Sequence, residues 1–139
     1  MDITLILWPA LTMVGLTFVV WWAMLFERIG KMRSGRISPQ AVATSTQLAA
    51  RLPDSRCADN FRNLFELPVL FYAAVAVIMA GGQLTPTLLG LAWAFAILRI
   101  VHSLIQCGYN RVMHRFHAYL AGGLALFALW AVLAWTHLA

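Results

Sequence analysis

Positive charge is confined to two windows of this chain. All ten Lys and Arg residues fall within positions 28–62 and 99–115. The rest is built from apolar stretches long enough to cross a bilayer, which takes about 20 residues per helix. Four qualify, at about 3–26, 61–80, 84–105 and 116–138. Lys and Arg are retained on the cytoplasmic side of a membrane. Basic windows between stretches one and two, and between three and four, therefore put loops one and three on that side. Both termini then lie on the other. The pattern predicts an all-α membrane protein, a four-transmembrane-helix bundle formed by one domain of 139 residues, in an inner membrane with periplasmic termini.

Composition excludes the main rivals. Only 11% of residues are charged, against 62% hydrophobic, where a soluble domain carries about 25% charged residues. The mean hydropathy is +0.78. Buried helices of a soluble protein would need polar outer faces, and these stretches are apolar all round. The first stretch lacks a basic flank and exceeds a signal-peptide core in length, so it is expected to be a retained helix. The net charge of +5 is accounted for by topology and lipid headgroups. No stacking module or basic groove points to nucleic acid. Cys57 and Cys107 both fall on the basic side, where thiols stay reduced. No Cys/His cluster has zinc spacing, so no metal is expected and both thiols read as structural.

Loop one is long, at about 27–60, and follows an interfacial Trp21-Trp22 pair. Ser38-Pro39 reads as an N-cap with Pro at the first helical position, predicting a short helix over 39–52. Pro53-Asp54-Ser55 is a second start signal. Gly81-Gly82 and Pro86 bracket a short outer loop, making helices two and three an antiparallel hairpin. Helix four carries Ala118, Ala121, Gly122, Gly123, Ala125, Ala128, Ala131 and Ala134. Such small residues let backbones approach closely in lipid, within the chain or between subunits. His137 is read as a terminal interface residue.

A few polar groups sit where lipid disfavours them. With helix entry near Phe61, Glu66 lies roughly 7 Å into helix two, and Arg99 about 9 Å into helix three from its end. His102 and Gln106 share a face with Arg99. An ionised side chain at a helix centre costs about 2.5–3.5 kcal/mol, which favours an interhelical Glu66–Arg99 ion pair with Asn63 and His102 nearby. Such a cluster serves either helix register or a ligand site. Pro68 predicts a kink in helix two, because it leaves the Leu64 carbonyl unpaired. Arg111 and Arg115, one turn apart, are placed to converge on an anion, among Tyr109, Asn110, His114, His117 and Tyr119.

The run Asn63-Leu64-Phe65-Glu66-Leu67-Pro68, opening a second membrane helix after a basic loop, resembles the MAPEG family, the membrane-associated proteins of eicosanoid and glutathione metabolism. Four helices in this chain length, and an arginine at the start of helix four, agree. The resemblance implies a homotrimer that binds glutathione at subunit interfaces, on the cytoplasmic side. It implies Asn63 and Glu66 as glutathione contacts, with Arg99, His102 and Arg62 beside them, and an arginine that stabilises the thiolate. Arg111 is the first candidate for that arginine and Arg115 the second. A lipophilic electrophile or peroxide would be the second substrate. The chain departs from the family pattern at Asp59, where active members carry an arginine. It departs again at Ile100 and Leu104, where synthase-type members carry tyrosines. Arg56 and Arg62 are nearby replacements for the missing arginine, Arg62 on a different helix face. Two readings stand at this point: a glutathione-dependent transferase or peroxidase, and a non-catalytic lipid-binding or scaffold subunit. A transporter is disfavoured by the apolar outer halves of all four helices.

Overall fold

The computed structural model describes residues 1–138, with side chains as far as Thr136, so the His137 side chain lies outside the described residues. A one-turn 3-10 helix, Ile3–Ile6, runs into α1, Leu7–Ser34. The Asp2 carboxylate accepts the Thr4 N–H at 2.9 Å, and that bond holds its carboxyl below the usual carboxylate range. Ile6, Met13 and Val20 are buried at seven-residue spacing, with Pro9 and Met24 beside them. A seven-residue step returns to nearly the same helix face. Trp8, Phe18, Trp22 and Phe26 are exposed apolar side chains. Thr12 and Thr17 donate their hydroxyls to carbonyls one turn back, which hides polar groups from lipid. α1 outlasts its apolar stretch because its basic tail is itself stabilised. Glu27 pairs with Lys31 one turn on at 2.8 Å.

The helix expected over 39–52 is split. Pro39–Val42 is a 3-10 turn and α2 spans Ser45–Arg51. Ser38 makes no side-chain cap. The effective cap is Thr44, whose hydroxyl takes the Gln47 N–H while the Gln47 side chain accepts the Thr44 N–H, a capping box.

The second crossing departs most from a simple helix. It begins at Arg56, earlier than expected, as α3, Arg56–Asn63. Leu64, Phe65 and Glu66 then form a turn between helices, and α4 resumes over Leu67–Gly81. The anticipated kink is thus a full break. Pro68 has no N–H for the Leu64 carbonyl, and its ring crowds the preceding turn. Glu66 absorbs the change with φ −97° and ψ −101°.

Gly82 ends α4 at φ +67°, a left-handed conformation that glycine adopts without steric cost. Thr85 then caps α5, Pro86–Cys107, by accepting the Leu88 N–H at 3.2 Å. This is the tight hairpin read from the sequence. The final helix, α6, spans Val112–Leu138. Four helical spans, Ile3–Ser34, Arg56–Gly81, Pro86–Cys107 and Val112–Thr136, are long and apolar enough to cross a membrane. No strand occurs among the described residues.

The core centres on α5. Phe95 stacks on Phe71 of α4 with ring centroids 4.8 Å apart, and Met13, Ile78, Leu88, Ala92 and Leu129 complete the same cluster. α5 packs most extensively on α6. A methyl at Gly122 would touch Leu98 Cβ at 3.6 Å and Arg99 Cδ at 3.8 Å. Part of the small-residue seam is therefore an intrachain contact. Ala131 and Ala134 remain exposed.

Candidate functional site

Three helical stripes converge on one cavity of about 460 Å³. α3 and the break after it contribute Asp59, Arg62, Asn63 and Glu66, spaced to share a face. α5 contributes His102 and Gln106, one turn apart. The first turns of α6 contribute Val112, Arg115, Phe116 and Tyr119 in the same periodic spacing.

Hydrogen bonds tie the walls together. Asn63 Nδ2 donates to Gln106 Oε1 at 3.0 Å, and His102 Nε2 lies 2.9 Å from the same oxygen. His102 Nδ1 lies 3.2 Å from the Arg115 carbonyl. Both oxygens only accept, so a neutral His102 donates to one of them and a protonated His102 to both. Arg115 Nη1 donates to Asn110 Oδ1 at 2.9 Å, leaving its other guanidinium donors for a ligand. Behind the cavity, the fully buried Asn60 accepts from Ser103 Oγ at 3.3 Å.

The α5–α6 turn places Arg115. Asn110 sits at φ +50°, tolerated by asparagine better than by most residues. Its N–H bonds the Ile105 carbonyl at 2.8 Å. At Gly108 a Cβ would fall 2.6 Å from the Leu104 carbonyl oxygen, closer than real side chains approach. Gly108→Ala is therefore expected to distort this turn and lower stability by about 1–3 kcal/mol, read as a drop in Tm; an unchanged Tm would show that the turn relaxes freely.

Arg99 is not a cavity wall. It is fully buried, its Nη2 donates to the Asn63 carbonyl, and its guanidinium carbon lies 5.5 Å from the Tyr119 ring centroid. The Nε and Nη1 atoms have no partner. The expected Glu66–Arg99 ion pair is absent: the ion pairs formed involve Glu27, Asp54 and Asp59 instead. The reason is the helix break. α3 terminates at Asn63, so its end carbonyl meets the guanidinium, as cations commonly do at helix C-termini. Glu66 is left exposed on the cavity side.

The cavity also separates the two candidate arginines. Arg115 lines it, whereas Arg111 is exposed and does not. Arg62 does line it, despite the different helix face expected from its position, and lies 3.7 Å from Asp59. Arg56 is drawn away to Asp54 and to the Gly108 carbonyl. Sequence reasoning assigned no ligand role to Gln106, Val112, Phe116 or Tyr119. Their signal was periodicity: Gln106, Val112 and Tyr119 each fall three or four residues from an assigned residue, and Phe116 falls four from Val112. Among the described residues no group of three or more His, Cys, Asp or Glu side chains is arranged to hold a metal ion.

A four-span helical bundle, with a mixed-charge cavity walled by three of its helical segments, defines an integral membrane protein. The MAPEG family model matches residues 6–135, nearly the whole chain, and the protein belongs to that family. No curated protein and no solved structure matches the chain significantly.

Proposed function

We propose that this protein is a glutathione-dependent transferase or peroxidase for lipophilic electrophiles or peroxides, with glutathione held between α3, α5 and α6. The observation that supports this reading is the charge pattern of the cavity. Glutathione has carboxylates at both ends, an ammonium, amide links and a thiol. Arg62 and Arg115 offer cations, Glu66 an anion for the ammonium, and Asn63 and Gln106 amide partners. The volume falls in the range of about 300–1,000 Å³ usual for small-molecule sites. Arg115 is the residue we assign to the thiolate. A neighbouring guanidinium lowers a thiol pKa, and the thiolate is the nucleophile. His102 bonds the Arg115 backbone and so steadies it from behind.

The same reading places the chain in a bacterial inner membrane as a homotrimer, with both termini periplasmic and the cavity at the cytoplasmic end. The two basic windows support that orientation. A groove lined by Leu67, Leu70, Gly123, Phe127 and Trp130 offers an apolar surface on the α4–α6 face, beginning one residue from Glu66. One observation favours the non-catalytic lipid-binding alternative: Asp59 lines the same cavity and engages Arg62, which weakens its claim on a carboxylate.

Calorimetry of glutathione with the detergent-purified protein decides between them. Saturable binding is expected, weakened at least about tenfold in Glu66→Gln, the cost of one lost charged contact. No binding at millimolar glutathione, with the protein folded, would remove the enzyme reading and leave the lipid-binding one.

A further inference from the structure

Cys57 and Cys107 are distant in sequence and adjacent in space. Cys57 lies in the first turn of α3 and is 8% exposed, while Cys107 is the last residue of α5 and partly exposed. Both are free thiols. Cys107 packs against the cluster to which Cys57 belongs. Together with Met24 and Ala58 they form a small cluster separate from the main core. The backbone around each sulfur is held toward the other. Arg56 Nη1 donates to the Gly108 carbonyl at 3.0 Å, and Asn60 Nδ2 lies 3.5 Å from Cys107 Sγ. On the other side, Glu27 accepts the Cys57 N–H at 3.2 Å. Neither thiol belongs to the cavity lining.

Packing alone asks only for two small apolar side chains here. Two thiols gathered in one cluster, on elements already tied together, can also do chemistry. We propose that Cys57 and Cys107 form a reversible dithiol–disulfide pair, oxidised by a hydroperoxide, that pins the start of α3 to the end of α5.

Cys107 is the more accessible sulfur and reacts first. It attacks the terminal oxygen of the hydroperoxide, the O–O bond breaks, and the alcohol departs with the thiol proton, leaving a sulfenic acid. The Cys57 sulfur then displaces that hydroxyl, which leaves as water with the Cys57 proton, and the S–S bond forms. The sulfurs lose two electrons in total, and the peroxide gains them. Exchange with an added dithiol reverses the reaction.

The position gives the pair a consequence. α3 carries Arg62 and Asn63, and α5 carries His102 and Gln106, so the bond would join two walls of the cavity. Disulfides of cytoplasmic proteins are usually transient and redox-sensing, and the pair shares that setting in the orientation proposed above; its thiol chemistry does not depend on glutathione binding.

The test uses the reduced, detergent-purified full chain. It is treated with cumene hydroperoxide, alkylated after denaturation and weighed intact. The expected product is a monomer that has lost a pair of hydrogens and takes no alkyl group, with one peptide joining Cys57 to Cys107, fully reversed by dithiothreitol. Oxidation should raise the Tm by about 5 °C, since the bond closes a long loop. Cys57→Ser should show no such rise, and dimedone should instead label Cys107. Two alkylatable thiols after treatment, or disulfides found only between subunits, would overturn the proposal.

Discussion

Arg115→Ala is expected to lower kcat/KM for glutathione conjugation of a lipophilic electrophile on the order of 100-fold or more, a loss typical of removing one donor to a developing anion. Arg111→Ala is expected to stay within about threefold, the ordinary range for an exposed charge away from the chemistry. The contrast rests on geometry. Arg111 immediately precedes α6 and Arg115 lies in its first turn, but only Arg115 lines the cavity, braced by Asn110 through Nη1 and by His102 through its carbonyl. The direct readout is ultraviolet titration of bound glutathione. Loss of the Arg115 guanidinium should move thiolate formation to higher pH, because the cation stabilises the charged form. An equal loss in both variants, with no change in the thiol titration, would show that Arg115 only helps attract the anion.

Arg99→Ala is expected to destabilise the protein by about 3 kcal/mol, combining a lost buried stem with an unpaired Asn63 carbonyl. Arg99→Met separates these effects. A guanidinium with two partnerless nitrogens is costly to bury, and Met preserves most of the stem. Its stability loss should therefore stay under about 1.5 kcal/mol. Glutathione affinity should still fall in Arg99→Met, since Arg99 holds the carbonyl of Asn63 at the helix break. Thermal unfolding and calorimetry on both variants check this. If Met proves as damaging as Ala, the bond to Asn63 dominates over the cost of burial. With no ion pair present, Glu66→Gln and Arg99→Gln should combine with a coupling under about 0.5 kcal/mol.

Much of the site was legible because its residues are polar in an apolar chain. Asn63, Glu66 and His102 stand out by type and spacing, and the structure brings all three to one cavity. Pro68 marked the interruption of helix two, though not its extent, which the conformation of Glu66 settles. Arg99 was legible as a buried cation but not its partner, because main-chain carbonyls carry no sequence signature. Cys57 and Cys107 could not be paired from sequence, since nothing in their spacing tells which helix faces meet.

The sequence by itself determined the four apolar spans, the confinement of positive charge to two windows and the family. Lipid acts as the solvent for each residue separately, so these features follow from composition along a line. The tertiary structure decided which side chains meet. Each residue advances a helix by about 100°, so a small shift in where a helix begins moves a side chain to another face. α6 begins at Val112, not near Phe116, and that difference brings Arg115 into the first turn, facing the cavity, while Arg111 stays one residue short of the helix.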